Sequence, residues 1–172
     1  MDAHTIGLFV GFASGILIAA VLLAFLMKKK VVDTSFDERQ ERARGIAFKY
    51  GFITLLACVV LYGLSDILLG RWCDAFTGGM ICICIALTVF AGVCIRKDAY
   101  LSLNERPKNI VLLIVAGAVM NLALGLIPVF NGELMEDGIV SFRAANLIAG
   151  VALLVILIIF VVKLSADRRV GE

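Results

Sequence analysis

Long apolar runs alternate with short polar connections along the whole chain. Five runs have about 20 residues each, the length that a helix needs to cross a hydrocarbon core of roughly 30 Å. They cover residues 5–27, 46–69, 76–95, 110–130 and 144–162. Lys49 lies near the start of the second run, where its long side chain can reach the headgroups, and the apolar core begins at Tyr50. The pattern predicts an all-α, polytopic membrane helical bundle with five transmembrane helices.

The composition agrees with this pattern. Of the 172 residues, 62% are hydrophobic and 17% are charged, whereas soluble domains are about half apolar and about a quarter charged. Five spans leave only short connections, so we expect a single integral membrane domain over residues 1–172. The positive cluster Lys28 to Lys30 follows the first run and no basic segment precedes it. This layout indicates a retained span rather than a cleaved signal peptide.

The basic residues lie almost entirely on one side of the predicted spans. Of the sixteen Lys and Arg residues, only Arg71 and Arg143 fall in connections on the opposite side. Short loops rich in Lys and Arg stay in the cytoplasm. We therefore expect the N-terminus outside the cell and the C-terminus in the cytoplasm, an orientation that requires an odd number of spans.

A charged segment precedes the second run. Residues 33–44 read Asp-Thr-Ser-Phe-Asp-Glu-Arg-Gln-Glu-Arg-Ala-Arg, without Gly or Pro. Ser35 and Glu38 have the three-residue spacing of a capping box. Glu38 and Arg42 stand four residues apart, a spacing at which opposite charges attract on a helix. We expect a cytoplasmic helical stalk over residues 36–45 that continues into the second span.

The first span contains glycines at regular spacing. Gly7, Gly11 and Gly15 repeat every four residues, so that one helix face carries no side chains. Another helix backbone can approach such a face closely. Glycine is common in membrane helices generally, and this face would serve packing within the chain or a homo-oligomer equally well.

Two polar residues lie within predicted spans. Asn121 is near the middle of the fourth span, with Gly117 and Gly125 four residues away on either side. This arrangement favours helix packing with a hydrogen bond to a neighbouring helix. Asp66 lies about one turn from the outer end of the second span, where water or Arg71 can satisfy it. For both residues, contact with an ion or solute is the alternative.

The sequence offers little for catalysis or metal binding. Cys82 and Cys84 are two residues apart, so on a helix they point to different faces, and the chain has a single histidine, His4. No phosphate-binding loop, nucleophile elbow or His-Glu-x-x-His motif occurs. We expect no enzymatic activity, no metal, no cofactor and no nucleic-acid partner.

The amino-acid sequence of the stalk resembles that of other membrane proteins. Asp37-Glu38-Arg39-Gln40, followed by residues 43–56, resembles a group of uncharacterised small bacterial membrane proteins that carry an Asp-Glu-Arg-Gln motif on the cytoplasmic approach to a span. The resemblance implies a multi-pass protein of the bacterial cytoplasmic membrane. It transfers no catalytic residue, because that group has no established activity.

Two functions fit these observations. The first is a non-enzymatic interaction or regulatory membrane protein, in which the stalk residues 37–40 contact a protein partner at the cytoplasmic face. The second is a small ion or solute transporter or channel, with Asp66 and Asn121 lining a pathway through one chain or a homo-oligomer. The lipid bilayer is the expected environment of both.

Overall fold

The structure is a computed structural model that describes residues 17, 21, 36–102 and 107–170. Four long helices account for most of these residues. They are α1 (Glu38–Leu69), α2 (Ala75–Arg96), α3 (Pro107–Phe130) and α4 (Ala145–Val170). Between α3 and α4 lie the antiparallel strands β1 (Met135–Glu136) and β2 (Ile139–Val140) and a 3₁₀ turn (Phe142–Ala144).

The helices of the described part are long and apolar enough to cross a membrane. The four candidate spans are Glu38–Leu69, Ala75–Arg96, Ile110–Phe130 and Phe142–Asp167. Each of them contains one of the runs predicted over residues 46–69, 76–95, 110–130 and 144–162. The remaining predicted run, residues 5–27, lies outside the described residues apart from positions 17 and 21. Gly7, Gly11 and Gly15 belong to this run and also lie outside the described residues.

Local chemistry explains where the helices begin and end. Asp74 caps α2, because its carboxylate accepts a hydrogen bond from the backbone N–H of Thr77 at 2.7 Å. Pro107 opens α3, where the first turn does not need the missing amide hydrogen. Pro128 lies in the last turn of the same helix, which ends at Phe130. The helix α1 continues through Gly45 without a break.

The helices pack in the order α1, α2, α4, α3. The outer helix α1 packs on α2, the outer helix α3 packs on α4, and α2 packs on α4. Small residues allow close approach: a methyl group added at Gly51 would lie 3.2 Å from Cβ of Phe90. Apolar side chains on the far side of α1, such as Ile67 and Leu68, are largely exposed, as expected for a surface in contact with lipid.

A buried apolar cluster lies where α2, α3 and α4 meet. It consists of Ala91, Ile95, Ile114, Ile156 and Phe160. Burying aliphatic and aromatic side chains against one another fixes the packing of these helices through many small dispersion contacts. The outer helix α1 contributes no residue to this cluster, so its position depends on α2 and on polar contacts at its ends.

The connection between α1 and α2 meets the hairpin between α3 and α4. The backbone N–H of Val140 donates to the carbonyl of Trp72 at 3.0 Å, and that of Asp74 donates to the carbonyl of Val140 at 2.9 Å. In the same hairpin, Arg143 pairs with the carboxylates of Glu133 and Glu136. These connections define one end of the bundle, here called the hairpin end. The start of α1 and the end of α2 lie at the other, called the motif end.

Candidate functional site

The Asp-Glu-Arg-Gln motif forms the N-cap and first turn of α1. Asp37 is the N-cap, and its carboxylate accepts a hydrogen bond from the backbone N–H of Gln40 at 2.6 Å. In return, Gln40 Oε1 accepts a hydrogen bond from the backbone N–H of Asp37 at 3.2 Å. These two bonds form a capping box. The predicted box of Ser35 with Glu38 is therefore wrong, since Asp37 and Gln40 offer the same three-residue spacing two residues later.

Gln40 and Arg44 attach the start of α1 to the chain that leaves α2. Gln40 Nε2 donates to the backbone carbonyls of Asp98 at 3.0 Å and Leu101 at 3.2 Å. One turn further along α1, Arg44 Nη1 donates to the carbonyl of Ala99 at 3.2 Å. These carbonyls belong to an irregular segment, where side chains must supply the donors that a helix or strand would otherwise provide. We call this set of contacts the clasp.

Aromatic rings hold the Arg44 side chain in place. Its guanidinium carbon lies 4.1 Å from the centre of the Phe36 ring and 6.0 Å from the centre of the Phe90 ring. Cations within about 6 Å of a ring face are attracted by its quadrupole. Arg44 is also half-buried. We conclude that this arginine holds α1 against α2 and is not available to a partner.

Asp98, just after the end of α2, brings charges from α1 and α4 together at the motif end. Its backbone is left-handed, with φ of 56°, a conformation that Asp tolerates better than most residues. Its carboxylate lies 3.8 Å from Arg39 and 3.2 Å from Lys163. Lys163 also pairs with Asp167 at 2.8 Å. Because Asp98 is more than half exposed, each pair contributes only about 0–1 kcal/mol and mainly orients the side chains.

The other half of the motif faces outward. The side chains of Glu38 and Arg39 are 90% and 78% exposed. Glu38 pairs with Arg42 at 3.9 Å, one turn further along α1, as the four-residue spacing predicts. The motif thus has two parts. Asp37 and Gln40 stabilise the fold, whereas Glu38 and Arg39 are open to solvent.

A polar recess lies beside this exposed half. It has a volume of about 460 Å³, and its walls come from the start of α1 and the end of α2. The lining residues are Glu38, Arg39, Arg42, Ala43, Ile46, Arg96 and Lys97. We call it the basic recess, because four cationic side chains and one carboxylate line it. The sequence does not indicate this recess, because Arg96 and Lys97 are far from the motif in the chain. The one signal in the sequence is that both residues fall on the same predicted side of the membrane as the motif.

Asp66 lies in α1 near the hairpin end, far along the helix from the motif. Its Oδ1 is buried and has no hydrogen-bond partner in the part of the chain that the structure describes. The expected partner Arg71 is exposed and forms no ion pair with it. Beside Asp66, Trp72 Nε1 donates to Ser65 Oγ at 2.9 Å, and Ser65 Oγ donates to the carbonyl of Tyr62 at 2.7 Å. Asp66 is thus the one predicted site residue with an unused buried acceptor among the described side chains.

Cys73 lies in the connection between α1 and α2, next to this group. Its side chain is 0% exposed, and its thiol is free. Burial raises the pKa of the Cys73 thiol; the charges of Asp74 and Asp66 raise it further, against the opposing effect of a hydrogen bond with Tyr62. Since the thiolate is the reactive form, this cysteine is poorly suited to nucleophilic chemistry at neutral pH.

Asn121 lies on a face of α3 that packs on α4. A methyl group added at Gly117 would lie 3.4 Å from Leu153 Cδ1, and one added at Gly125 would reach the backbone of Leu147. The amide of Asn121, however, donates to the carbonyl of Gly117 in its own helix at 2.8 Å. The small residues therefore admit the neighbouring helix, but the hydrogen bond stays within α3.

The predicted site residues do not form one site. Asp66 is on α1, which packs on α2, and Asn121 is on α3, which packs on α4. Nor do the described residues include any group of three or more His, Cys, Asp or Glu side chains that could hold a metal ion. Within the described residues, the motif end, with the clasp and the basic recess, brings polar side chains from different helices together.

These helices define the class of the protein: a helical bundle with four described helices that are long and apolar enough to cross a membrane. No protein-family model, curated protein or solved structure matches the chain.

Proposed function

We propose that this chain is a multi-pass protein of the bacterial cytoplasmic membrane, with five spans, the N-terminus outside and the C-terminus in the cytoplasm. The four described helices and the apolar run over residues 5–27 support the number of spans. The distribution of charge supports the orientation. Arg39 and Lys163 meet at Asp98 at the motif end, whereas Arg143 lies at the hairpin end, and basic loops remain in the cytoplasm.

We further propose that it is a non-enzymatic interaction or regulatory protein that binds a partner protein through its cytoplasmic stalk. The observation that carries this proposal is the division of the motif. Asp37 and Gln40 are occupied by the capping box and the clasp, so the turn is held rigid. Glu38 and Arg39 project from it almost fully exposed. Rigid presentation of charged groups reduces the conformational entropy that the motif itself loses when a partner binds.

Affinity purification of the tagged, full-length chain from its native membrane tests this proposal. The variant Glu38→Lys/Arg39→Glu reverses both exposed charges of the motif and leaves their sum unchanged. The matched control is Glu41→Lys, which reverses one exposed charge of the same helix outside the motif and outside the lining of the basic recess. A specific partner should be lost from the double variant and retained by the control. The purified partner should then bind the purified wild-type chain directly.

Retention of the partner by the double variant would contradict the proposal. The same holds if no protein co-purifies with the wild-type chain in a constant ratio. Reduced binding by both the double variant and Glu41→Lys would indicate a general effect of charge. That result would also contradict a site formed by Glu38 and Arg39.

A small ion or solute transporter or channel, formed by one chain or a homo-oligomer, is the second candidate. The observation that favours it is the buried, unpartnered Oδ1 of Asp66 within the described structure, since acids inside spans often mark ion or proton pathways. Asp66→Asn should abolish flux in liposomes while leaving expression intact. Asn121→Ala should reduce flux only if both residues share a pathway. Wild-type liposomes without flux above empty ones would exclude this candidate.

A further inference from the structure

We propose that the basic recess binds the phosphate group of an anionic membrane lipid. This inference goes beyond the proposed function, because it assigns a ligand that the membrane itself supplies and requires no protein partner. The recess is formed by the exposed half of the motif and by the end of α2. It can therefore be tested on the isolated chain.

The first argument is charge. Arg39, Arg42, Arg96 and Lys97 line the recess together with a single carboxylate, that of Glu38. Arg96 and Lys97 form no ion pair within the described residues. Arg39 and Arg42 each approach one carboxylate, at 3.8 Å and 3.9 Å, whereas charge-assisted hydrogen bonds are about 2.7–2.9 Å long. The donors of these cations are thus largely unused, and an anion in the recess would relieve their mutual repulsion.

The second argument is position. Ala43 and Ile46 also line the recess, at the point where the apolar part of α1 begins. Ile46, Tyr50 and Ile53 are exposed and stand at helical spacing, so they form an apolar stripe that continues along α1 from the recess. Lys49, also exposed, lies on this face as well. A lipid would place its phosphate among the cations and its acyl chains along the stripe.

The apolar stripe distinguishes a lipid from other anions as the ligand of the recess. An inorganic phosphate, or an acidic peptide without apolar side chains, would use the cations but would gain nothing from Ile46, Tyr50 and Ile53. A lipid gains from both, since basic clusters next to a span attract anionic headgroups and apolar contact along a helix holds the chains. The combination of a cationic recess and an adjoining exposed apolar face therefore favours a lipid.

The test measures lipid binding to the purified full-length chain in detergent micelles by native mass spectrometry. The probes are phosphatidylglycerol and phosphatidylcholine with the same acyl chains, so that only the headgroup charge differs. The wild-type chain should prefer phosphatidylglycerol. Arg96→Gln and Lys97→Gln should each reduce its apparent affinity about fivefold. Arg71→Gln, which removes an exposed cation outside the recess, should leave the preference unchanged.

Three results would overturn the inference. Equal binding of the two lipids would show that no anion is recognised. An equal loss of preference in Arg71→Gln would show that overall charge, rather than the recess, is responsible. If inorganic phosphate or glycerol phosphate binds the recess as tightly as phosphatidylglycerol, the ligand is a free phosphate and not a lipid.

The loss of the lipid site can be distinguished from misfolding of the variants and from loss of the protein partner. The substituted side chains are exposed, so the thermal midpoint of each variant should match that of the wild-type chain. A double variant Arg96→Gln/Lys97→Gln that loses lipid preference but keeps its protein partner supports the lipid site alone. One that keeps its lipid preference and loses the partner contradicts the lipid site and supports the stalk as a protein interface.

Discussion

The contact between α3 and α4 at Gly125 gives the sharpest test of the packing. A methyl group added by Gly125→Ala would lie 2.5 Å from the backbone N of Leu147 and 2.6 Å from its Cα. Carbon atoms in contact normally stand about 3.5–4.0 Å apart. Backbone atoms cannot rotate away as a side-chain tip can, so the two helices must separate by about 1 Å. We expect overpacking of this kind to lower the free energy of unfolding by about 1–3 kcal/mol.

Two further glycines provide a graded series. A methyl group added at Gly117 would meet only the tip of Leu153, at 3.4 Å, and one added at Gly63 would meet nothing within 4 Å. Gly63→Ala should therefore stabilise the helix, by up to about 1 kcal/mol, because alanine loses less backbone entropy than glycine. Gly117→Ala should fall between Gly63→Ala and Gly125→Ala.

Thermal unfolding in detergent, followed by circular dichroism, measures the series. For a chain of this size each kcal/mol shifts the midpoint by about 2–4 °C. The midpoint should therefore fall for Gly125→Ala and rise for Gly63→Ala, relative to the wild-type chain. Equal midpoints for Gly125→Ala and Gly63→Ala would refute the close approach of α3 and α4. A higher midpoint for Gly125→Ala would refute it more strongly.

Three further predictions concern the two ends of the bundle. Gln40→Ala removes two bonds of the clasp and half of the capping box, so it should cost about 1–2 kcal/mol of unfolding free energy, whereas exposed Glu41→Ala should change little. Asp98→Asn should retain stability and Asp98→Ala lose about 1 kcal/mol, because Asn also tolerates left-handed backbone; thermal midpoints compare them. Cys73 should react slowly with a membrane-impermeant maleimide at pH 7, and its rate should rise only at a pH above the range in which cysteine thiols usually titrate, since its pKa is raised. A cysteine introduced by the exposed substitution Met135→Cys should react readily at pH 7. Equal rates for the two cysteines would contradict the burial of Cys73.

The slow reaction expected of Cys73 also bears on the topology. Weak labelling of this residue in intact cells would reflect its burial and carry no information on which side it lies. Met135→Cys at the hairpin end and Glu41→Cys at the motif end are better reporters, because both positions are exposed. The proposed orientation requires labelling of the first and protection of the second; the reverse pattern would overturn it.

The sequence by itself determined the helices in the described part. Apolar length sets a span, Pro107 opens α3, and the spacing of Glu38 and Arg42 gives their ion pair, because each depends on residues within a turn or on a continuous run. The same local rules found the right kind of cap for α1 and misplaced it by two residues. Two acceptable boxes of equal spacing overlap there, and local rules do not rank them.

Only the tertiary structure decided what the motif does. Gln40 lies 58 residues from Asp98 in the chain, and no periodicity or propensity indicates that its amide meets that carbonyl. The same holds for Arg39 and Arg96, which line one recess. Hydrophobic patterning specifies which face of a helix is buried but not which helix covers it. The partners of polar side chains at the helix ends follow from that choice.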